Sequence, residues 1–146
     1  MDKEKLLKVV QSKLNKKIEY LEHLIAELRA SNTDTKSSMG DKYETGREML
    51  QQEINQLQLQ LNELTNQMVQ LEKLPLKANT TAINGALVKT NTGYCFISVS
   101  AGEVVLNGEK IMAISPETPL AKALYGKSAG EQFLLNHNVQ MVEQIN

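Results

Sequence analysis

The sequence of 146 residues contains few of the side chains that fill a large core or build a reactive centre. It has no tryptophan, aromatic residues make up 4% of it, and it has a single cysteine, Cys95. A lone cysteine forms no internal disulfide, and the apolar neighbours in GYCFISVS are typical of a small buried side chain. The core must therefore be built mainly from aliphatic residues, and we assign Cys95 no chemistry.

Charge and hydropathy exclude further classes of protein. The formal net charge is -1, and acidic and basic residues are interleaved along the chain. No basic face is available to neutralise a nucleic-acid backbone, so we expect no autonomous DNA binding. The N-terminus lacks the apolar stretch of a signal peptide, and no apolar run approaches the roughly 20 residues of a membrane span. We therefore predict a cytoplasmic protein that does not enter a membrane.

Two segments repeat apolar residues with the heptad spacing of packed helices. The repeated positions are Leu7, Leu14, Ile18, Leu21, Ile25 and Leu28 in the first segment, and Leu50, Ile54, Leu57, Leu61, Leu64, Met68 and Leu71 in the second. Between the two segments, SNTDTKSSMG is rich in residues that break helical geometry. We therefore predict two long helices with a turn between them.

The numbering of these positions predicts that the two helices fold back on each other. If Leu28 packs against Leu50 and Leu7 against Leu71, the two residue numbers add up to the same total in both pairs. The leucines between them form further pairs with that same total. This regularity is expected of an antiparallel hairpin within one chain, so we predict a monomer whose turn lies near residue 39. The tip then covers about 34–46, and the arm is about 45 Å long.

After Pro75, which ends the arm, the pattern changes to short alternating segments rich in β-branched residues. Strands are predicted at 85–90, 93–100, 103–115, 131–135 and 139–145, and turns at 91–93, 107–108 and 136–138. One short helix with an apolar face from Leu120 to Leu124 is predicted to stop at Gly126. The predicted class is α+β: an antiparallel coiled-coil hairpin over 1–75, and a small antiparallel sheet with one short helix over 76–146.

The stretch SSMGDKYETGRE places two carboxylates, Asp41 and Glu44, beside the predicted turn. Their Asp-x-x-Glu spacing is that of a capping box, in which both acids satisfy amide groups at the start of the second helix. The same spacing puts the side chains about 5–6 Å apart on a helix, which is close enough to share one hydrated cation. Both interpretations stay open, because Asp41 can cap the helix while Glu44 faces outward.

One segment of the second half resembles a known family. ISPETPLAKALYGKSAGEQF, residues 114–133, is similar to a run in the Gre family of bacterial transcript cleavage factors, with Thr118 where serine is usual. Gly40, Asp41 and Glu44 resemble the acidic tip of that family. The family has an N-terminal antiparallel coiled coil and a C-terminal domain of FKBP-like fold. The architecture predicted for this chain resembles it over nearly the whole length.

The resemblance implies a partner and a mechanism. The arm would enter the secondary channel of the RNA polymerase core, and the C-terminal domain would dock on its rim. The residues expected to dock are Ser115, Thr118, Pro119 and Leu120. Asp41 and Glu44 would be donated ligands of a second Mg²⁺, acting on the 3′ end of the nascent RNA. The protein would hold Mg²⁺ only within that complex and would hydrolyse nothing alone.

The tip also departs from the family pattern. Lys42 and Arg47 offset the acids, and a second alignment of DTKS makes Asp34 the candidate carboxylate. Tyr43 and Arg47 are candidate contacts to polymerase or nucleic acid, with solvated or hairpin-packing roles as the alternative.

Three other functions remain open. The first is a secondary-channel regulator that does not stimulate cleavage, and the second is a coiled-coil adaptor with no catalytic role. The third is a prolyl isomerase, suggested by the FKBP-like fold alone. Its aromatic pocket would have to come from Tyr94, Phe96, Tyr125 and Phe133.

Overall fold

The computed structural model describes residues 1–36 and 44–146, and of residues 32–36, 44 and 45 the backbone alone. The helices are α1 (Lys3–Lys36), α2 (Glu44–Glu72) and α3 (Pro119–Leu124). The strands are β1 (Leu87–Thr90), β2 (Gly93–Ile97), β3 (Gly102–Leu106), β4 (Glu109–Ile114), β5 (Gln132–Leu135) and β6 (Asn138–Ile145). None of the helices in the described ranges is long and apolar enough to cross a membrane.

The two long helices form the predicted N-terminal hairpin. α1 begins beyond Asp2, whose carboxylate accepts from the amides of Glu4 at 3.0 Å and Lys5 at 3.3 Å, as an N-cap does. α1 ends at Lys36 and α2 begins at Glu44, so the predicted turning point near residue 39 falls in their connection. The predicted heptad positions that are buried in these two helices are Leu14, Leu21, Ile25, Ile54 and Leu71.

The exposed face of α2 is rich in glutamine and asparagine, which bond to one another along the helix. Gln51 donates to Asn55 at 3.0 Å, and Gln58 donates to Asn62 at 3.1 Å. Each pair is four residues apart, where side chains on a helix surface are neighbours. The polar composition therefore fits a solvated helix face.

Gly46 lies in α2, and a Cβ added there meets no atom within 4 Å. We expect Gly46→Ala to raise the free energy of unfolding by about 0.5–1 kcal/mol, because alanine loses less backbone entropy in a helix. Urea denaturation followed by circular dichroism measures the change. Gly130→Ala, in equally open space but at φ +91°, should instead destabilise the chain. Equal effects of the two substitutions would contradict this explanation.

The second half forms a six-stranded sheet in the order β3-β4-β2-β1-β6-β5. Four of its strand pairs are antiparallel, but β2 and β4 run parallel, with Tyr94 opposite Ile111 and Ile97 opposite Ile114. The sheet is therefore mixed, and the prediction of a wholly antiparallel sheet is wrong in this detail. The reason is that β3 lies at the edge of the sheet and runs antiparallel to β4. The chain therefore reverses before β4, and β4 pairs with β2 in the same direction.

The predicted turns are present and have the backbone that tight hairpins require. Asn107 and Gly108 connect β3 to β4 with φ of 53° and 76°. Asn136 and His137 connect β5 to β6 with φ of 51° and 66°. Two successive residues with positive φ are typical of type I′ turns, whose twist matches that of the flanking strands.

The central strands of the sheet are buried on both faces. On one face, α3 places Ala121 and Leu124 in a cluster with Val88, Cys95 and Phe133. Side chains of neighbouring strand residues point to opposite faces, so Phe96, which is fully buried, belongs to the other face.

The chain divides into two compact units, residues 1–13 with 67–146, and residues 14–66. The predicted division at residue 75 stays a prediction. In the first unit α1 buries Leu6 and Val10 completely, whereas Leu7, the predicted heptad position, is half-buried. The buried stripe differs there because residues 1–13 cluster with the sheet and not only with α2.

Lys3 is buried in this first unit and ties three segments together. Its ammonium donates to the carbonyl oxygens of Lys77 at 2.7 Å, Gly85 at 2.9 Å and Asn146 at 3.1 Å. Burial lowers the pKa of Lys3 from its ordinary value. Lys3 is therefore a structural residue of this unit and not a solvated surface lysine.

Candidate functional site

The first candidate site is the tip of the helical hairpin. Asp41 and Tyr43 lie outside the described residues. Asp34 lies in α1, and Glu44 is the first residue of α2, but the description of both stops at the backbone. The roles of all four as metal ligands, caps or contacts stay predictions.

Arg47 is the remaining candidate near the tip. It lies on α2, is half-buried and takes part in an interaction within the chain. Its predicted roles, as a contact to a partner or as a packing residue of the hairpin, stay predictions.

The second candidate site is the segment from Ser115 to Leu120, between β4 and α3. The Ser115 hydroxyl accepts from the amide of Glu117 at 3.1 Å. The Thr118 hydroxyl donates to the carbonyl of Ser115 at 2.9 Å and accepts from the amide of Ala121 at 3.2 Å. These bonds give the loop one conformation that does not depend on a partner. We call residues Ser115–Leu120 the docking segment.

Thr118 caps α3 and Pro119 follows it at the first helical position. The extended backbone of Thr118, with φ -69° and ψ 152°, is usual for an N-cap, and proline at this position loses no helical hydrogen bond. A threonine hydroxyl caps a helix as a serine hydroxyl does, so Thr118 needs no serine to begin α3.

The docking segment presents only some of its side chains to solvent. Pro116, Glu117 and Pro119 are exposed, whereas Leu120 is half-buried and packs against the core cluster beneath α3. Leu120 thus anchors the docking segment to the hydrophobic core. The residues available for first contact include Pro116 and Glu117, which the sequence prediction did not select.

Tyr125 is a further exposed residue that sequence reasoning assigned no docking role. It ends α3, and 72% of its surface is accessible. Gly126 follows with φ +77°, and its amide donates to the carbonyl of Ala82 at 2.9 Å. The exposure of Tyr125 could have been predicted from its position, because Tyr125 lies outside the apolar stripe of α3.

The four aromatic residues of the second half do not line one pocket. Tyr94 and Phe96 lie on one face of the sheet because they are two residues apart in β2, and Phe133 belongs to the cluster on the other face. Tyr125 is exposed. The arrangement gives no support to a prolyl isomerase pocket.

Cys95 and the acidic residues offer little reactive chemistry in the described chain. Cys95 is buried, and burial raises the pKa of its thiol to about 12, so it is protonated at neutral pH. Among the residues that the structure describes, no group of three or more histidine, cysteine, aspartate and glutamate side chains could hold a metal ion. The side chains of the predicted Mg²⁺ ligands Asp41 and Glu44 lie outside the described part of the chain.

Two solved structures are similar to the chain over nearly its whole length. One is the transcription factor Gfh1, with 20% sequence identity, 95% of this chain and 94% of that chain covered, and a TM-score of 0.40. The other is GreA factor homolog 1 (Gfh1) of Thermus thermophilus, with 19% identity, coverage of 92% and 93%, and a TM-score of 0.39. No protein-family model matches the chain. A search of curated proteins found no match either.

Proposed function

We propose that this protein is a Gre-like accessory factor of bacterial RNA polymerase. Its helical hairpin enters the secondary channel, and its tip donates Asp41 and Glu44 to a second Mg²⁺ during cleavage of backtracked transcripts. The polymerase supplies the catalytic centre, so the protein alone is not an enzyme. It acts in the bacterial cytoplasm as a monomer.

The observation that carries the proposal is the uninterrupted helix α2, which begins at Glu44. α2 has 29 residues, and a rise of about 1.5 Å per residue makes it about 43 Å long. The two ends of a helix of this length are farther apart than the ends of a short surface loop. A protein that acts at the bottom of a deep channel requires such a distance. Glu44, one of the two acids identified in the sequence, is the first residue of α2.

The docking segment supports the second part of the proposal. Its hydroxyl and amide bonds fix the loop before any partner is present, so binding costs little ordering entropy. Pro116, Glu117 and Pro119 are exposed on it, and Tyr125 is exposed at the end of α3. Proline and tyrosine offer rigid or large apolar contacts, which suit the surface of a protein partner.

The proposal is tested with purified RNA polymerase core stalled in a backtracked complex. The wild-type protein should shorten the transcripts. The double variant Asp41→Asn, Glu44→Gln should lose stimulated cleavage by about tenfold or more, because amides are poor replacements for carboxylate ligands in a two-metal reaction. Polymerase binding, measured by co-sedimentation, should be unchanged.

These substitutions separate metal binding from helix capping. Asparagine caps a helix as well as aspartate does, so the double variant keeps the hairpin while it loses charge. Glu48→Gln removes one charge a turn further along α2 and should keep full activity. Asp34→Asn tests the second alignment in the same assay. Full cleavage by the double variant would remove these two carboxylates from the mechanism.

The two alternatives give different results in the same experiments. A secondary-channel regulator without cleavage activity would bind the core polymerase and leave transcript lengths unchanged. A coiled-coil adaptor would not bind the core polymerase at all. Binding is therefore measured before cleavage.

A further inference from the structure

The open edge of the sheet at β5 has the features of a peptide-binding groove. β5 ends the strand order and pairs only with β6. A groove of about 420 Å³ is lined by three residues of β5 and by residues of α3, β6 and the loop after α3: Gln132, Phe133, Leu134, Ala123, Val139 and Lys127. The groove is thus formed by the end of α3 and the outer edge of β5, which has no partner strand in the described sheet, an arrangement suited to strand addition.

The backbone of β5 has hydrogen-bonding groups that point out of the sheet. Because Asn136 and His137 form a two-residue turn, Leu135 and Asn138 are the hydrogen-bonded pair next to it. Pairs alternate along an antiparallel ladder, so Leu134, opposite Val139, directs its N–H and C=O away from β6.

Gln132, two residues earlier, directs its N–H and C=O outward in the same way. Neither Gln132 nor Leu134 takes part in the loop and turn backbone hydrogen bonds of the described chain.

Exposed apolar side chains lie beside these backbone groups. Leu134 is 60% exposed and Val139, directly opposite it, is 63% exposed. Met141, two residues along β6 on the same face, is also exposed. A strand paired with β5 would place alternate side chains against this row, and apolar ones would gain most from the contact.

Charge favours an acidic strand. Lys127 is the one charged side chain among the described residues that line the groove. If two copies of this chain joined at β5, two lysines and no described acid would line the joined groove. An acidic segment of another protein would instead place a negative charge near the positive charge of Lys127.

From these features we propose that the β5 edge binds an extended, acidic segment of a protein partner as an additional antiparallel or parallel strand. Backbone pairing to Gln132 and Leu134 provides the affinity, the apolar row selects alternate side chains, and Lys127 selects an acidic residue. The proposal concerns the isolated chain and does not depend on the polymerase interaction.

The test uses two capped synthetic peptides, Asp-Val-Thr-Val-Thr-Val-Asp and the same sequence with lysine at both ends. The full chain, labelled with ¹⁵N, is titrated with each peptide and followed by NMR. The aspartate peptide should bind more tightly, and hydrogen exchange at the amides of Gln132 and Leu134 should slow. Failure of both peptides to bind at millimolar concentration would overturn the proposal.

Two variants assign the interaction to the groove. Lys127→Glu should weaken binding of the aspartate peptide about two- to fivefold and strengthen binding of the lysine peptide to a similar degree. Lys110→Glu makes the same charge change on β4, outside the groove, and should leave both affinities unchanged. Equal effects of the two variants would show that net charge, and not the groove, controls binding.

Leu134→Pro removes the outward N–H without removing a bond of the β5–β6 ladder, since edge positions of this kind accept proline. It should abolish peptide binding while the shifts of the remaining β6 amides persist. Self-association of the free chain through the Gln132 and Leu134 amides would identify a second copy as the occupant and reject the acidic partner.

Discussion

Gly85→Ala is expected to lower the free energy of unfolding by about 3–5 kcal/mol. Gly85 has φ +93°, a conformation that residues with a Cβ rarely adopt, and a Cβ built there overlaps the carbonyl oxygen of Pro75. The overlap is with backbone, so no side chain can rotate to relieve it. Chemical denaturation of the purified variant measures the loss.

Gly108→Ala is the matched control for this prediction. Gly108 also has positive φ, at +76°, but an added Cβ meets nothing within 4 Å. The control should therefore lose only the conformational part, about 1–2 kcal/mol. If Gly85→Ala cost no more than Gly108→Ala, the close approach to Pro75 would not restrict this position.

Lys3→Met is expected to destabilise the chain by about 2–3 kcal/mol. Methionine has a similar length but donates no hydrogen bond, so it leaves three carbonyl oxygens without their donor. Of these three bonds, the one to Gly85 is buried, so water cannot readily replace it. Lys5→Met, at an exposed position of the same helix, should change stability by less than about 0.5 kcal/mol.

The lowered pKa of Lys3 adds a dependence on pH with a defined sign. The pKa in the folded state lies below the ordinary value of 10.5, so between these two values the unfolded chain binds more protons. Stability contributed by this group therefore rises as pH increases through that window. The difference in unfolding free energy between wild type and Lys3→Met should grow as the pH rises toward 10.5. A constant or shrinking difference would contradict the assignment.

Features set by local pattern were predictable from the sequence. The heptad spacing located both long helices, and the dipeptide Asn107-Gly108 located a hairpin whose two residues have positive φ. Gly126 was expected to stop α3, and it follows the helix with φ +77°. Each of these signals acts within a few residues of the structure that it determines, so no knowledge of distant contacts was needed.

Features set by distant contacts were not predictable. The parallel pairing of β2 with β4 leaves no mark on either strand, because alternation looks the same in both directions. The local sequence gives no sign that Lys3 is buried, because its partners are carbonyls of Lys77, Gly85 and Asn146, far along the chain. Burial of Leu6 and Val10 in place of Leu7 has the same origin.

The candidate sites divide in the same way. The bonds of Ser115 and Thr118 within the docking segment follow from local turn and cap chemistry, so the motif was visible in the sequence. The β5 groove was not visible, because it requires the end of α3 to lie beside an edge strand. Only the folded chain brings Lys127 and Leu134 to one surface.

The order of the strands also sets the order in which the chain can fold during translation. β6 is synthesised after β1 and β5, yet it lies between them in the sheet. Residues 1–13, which are synthesised before these strands, belong to the same compact unit. Residues 14–66 can therefore fold while residues 1–13 still lack the strand β6, which is synthesised after them. Slow synthesis of β6 would leave β1 unpaired on one side and open to chaperones.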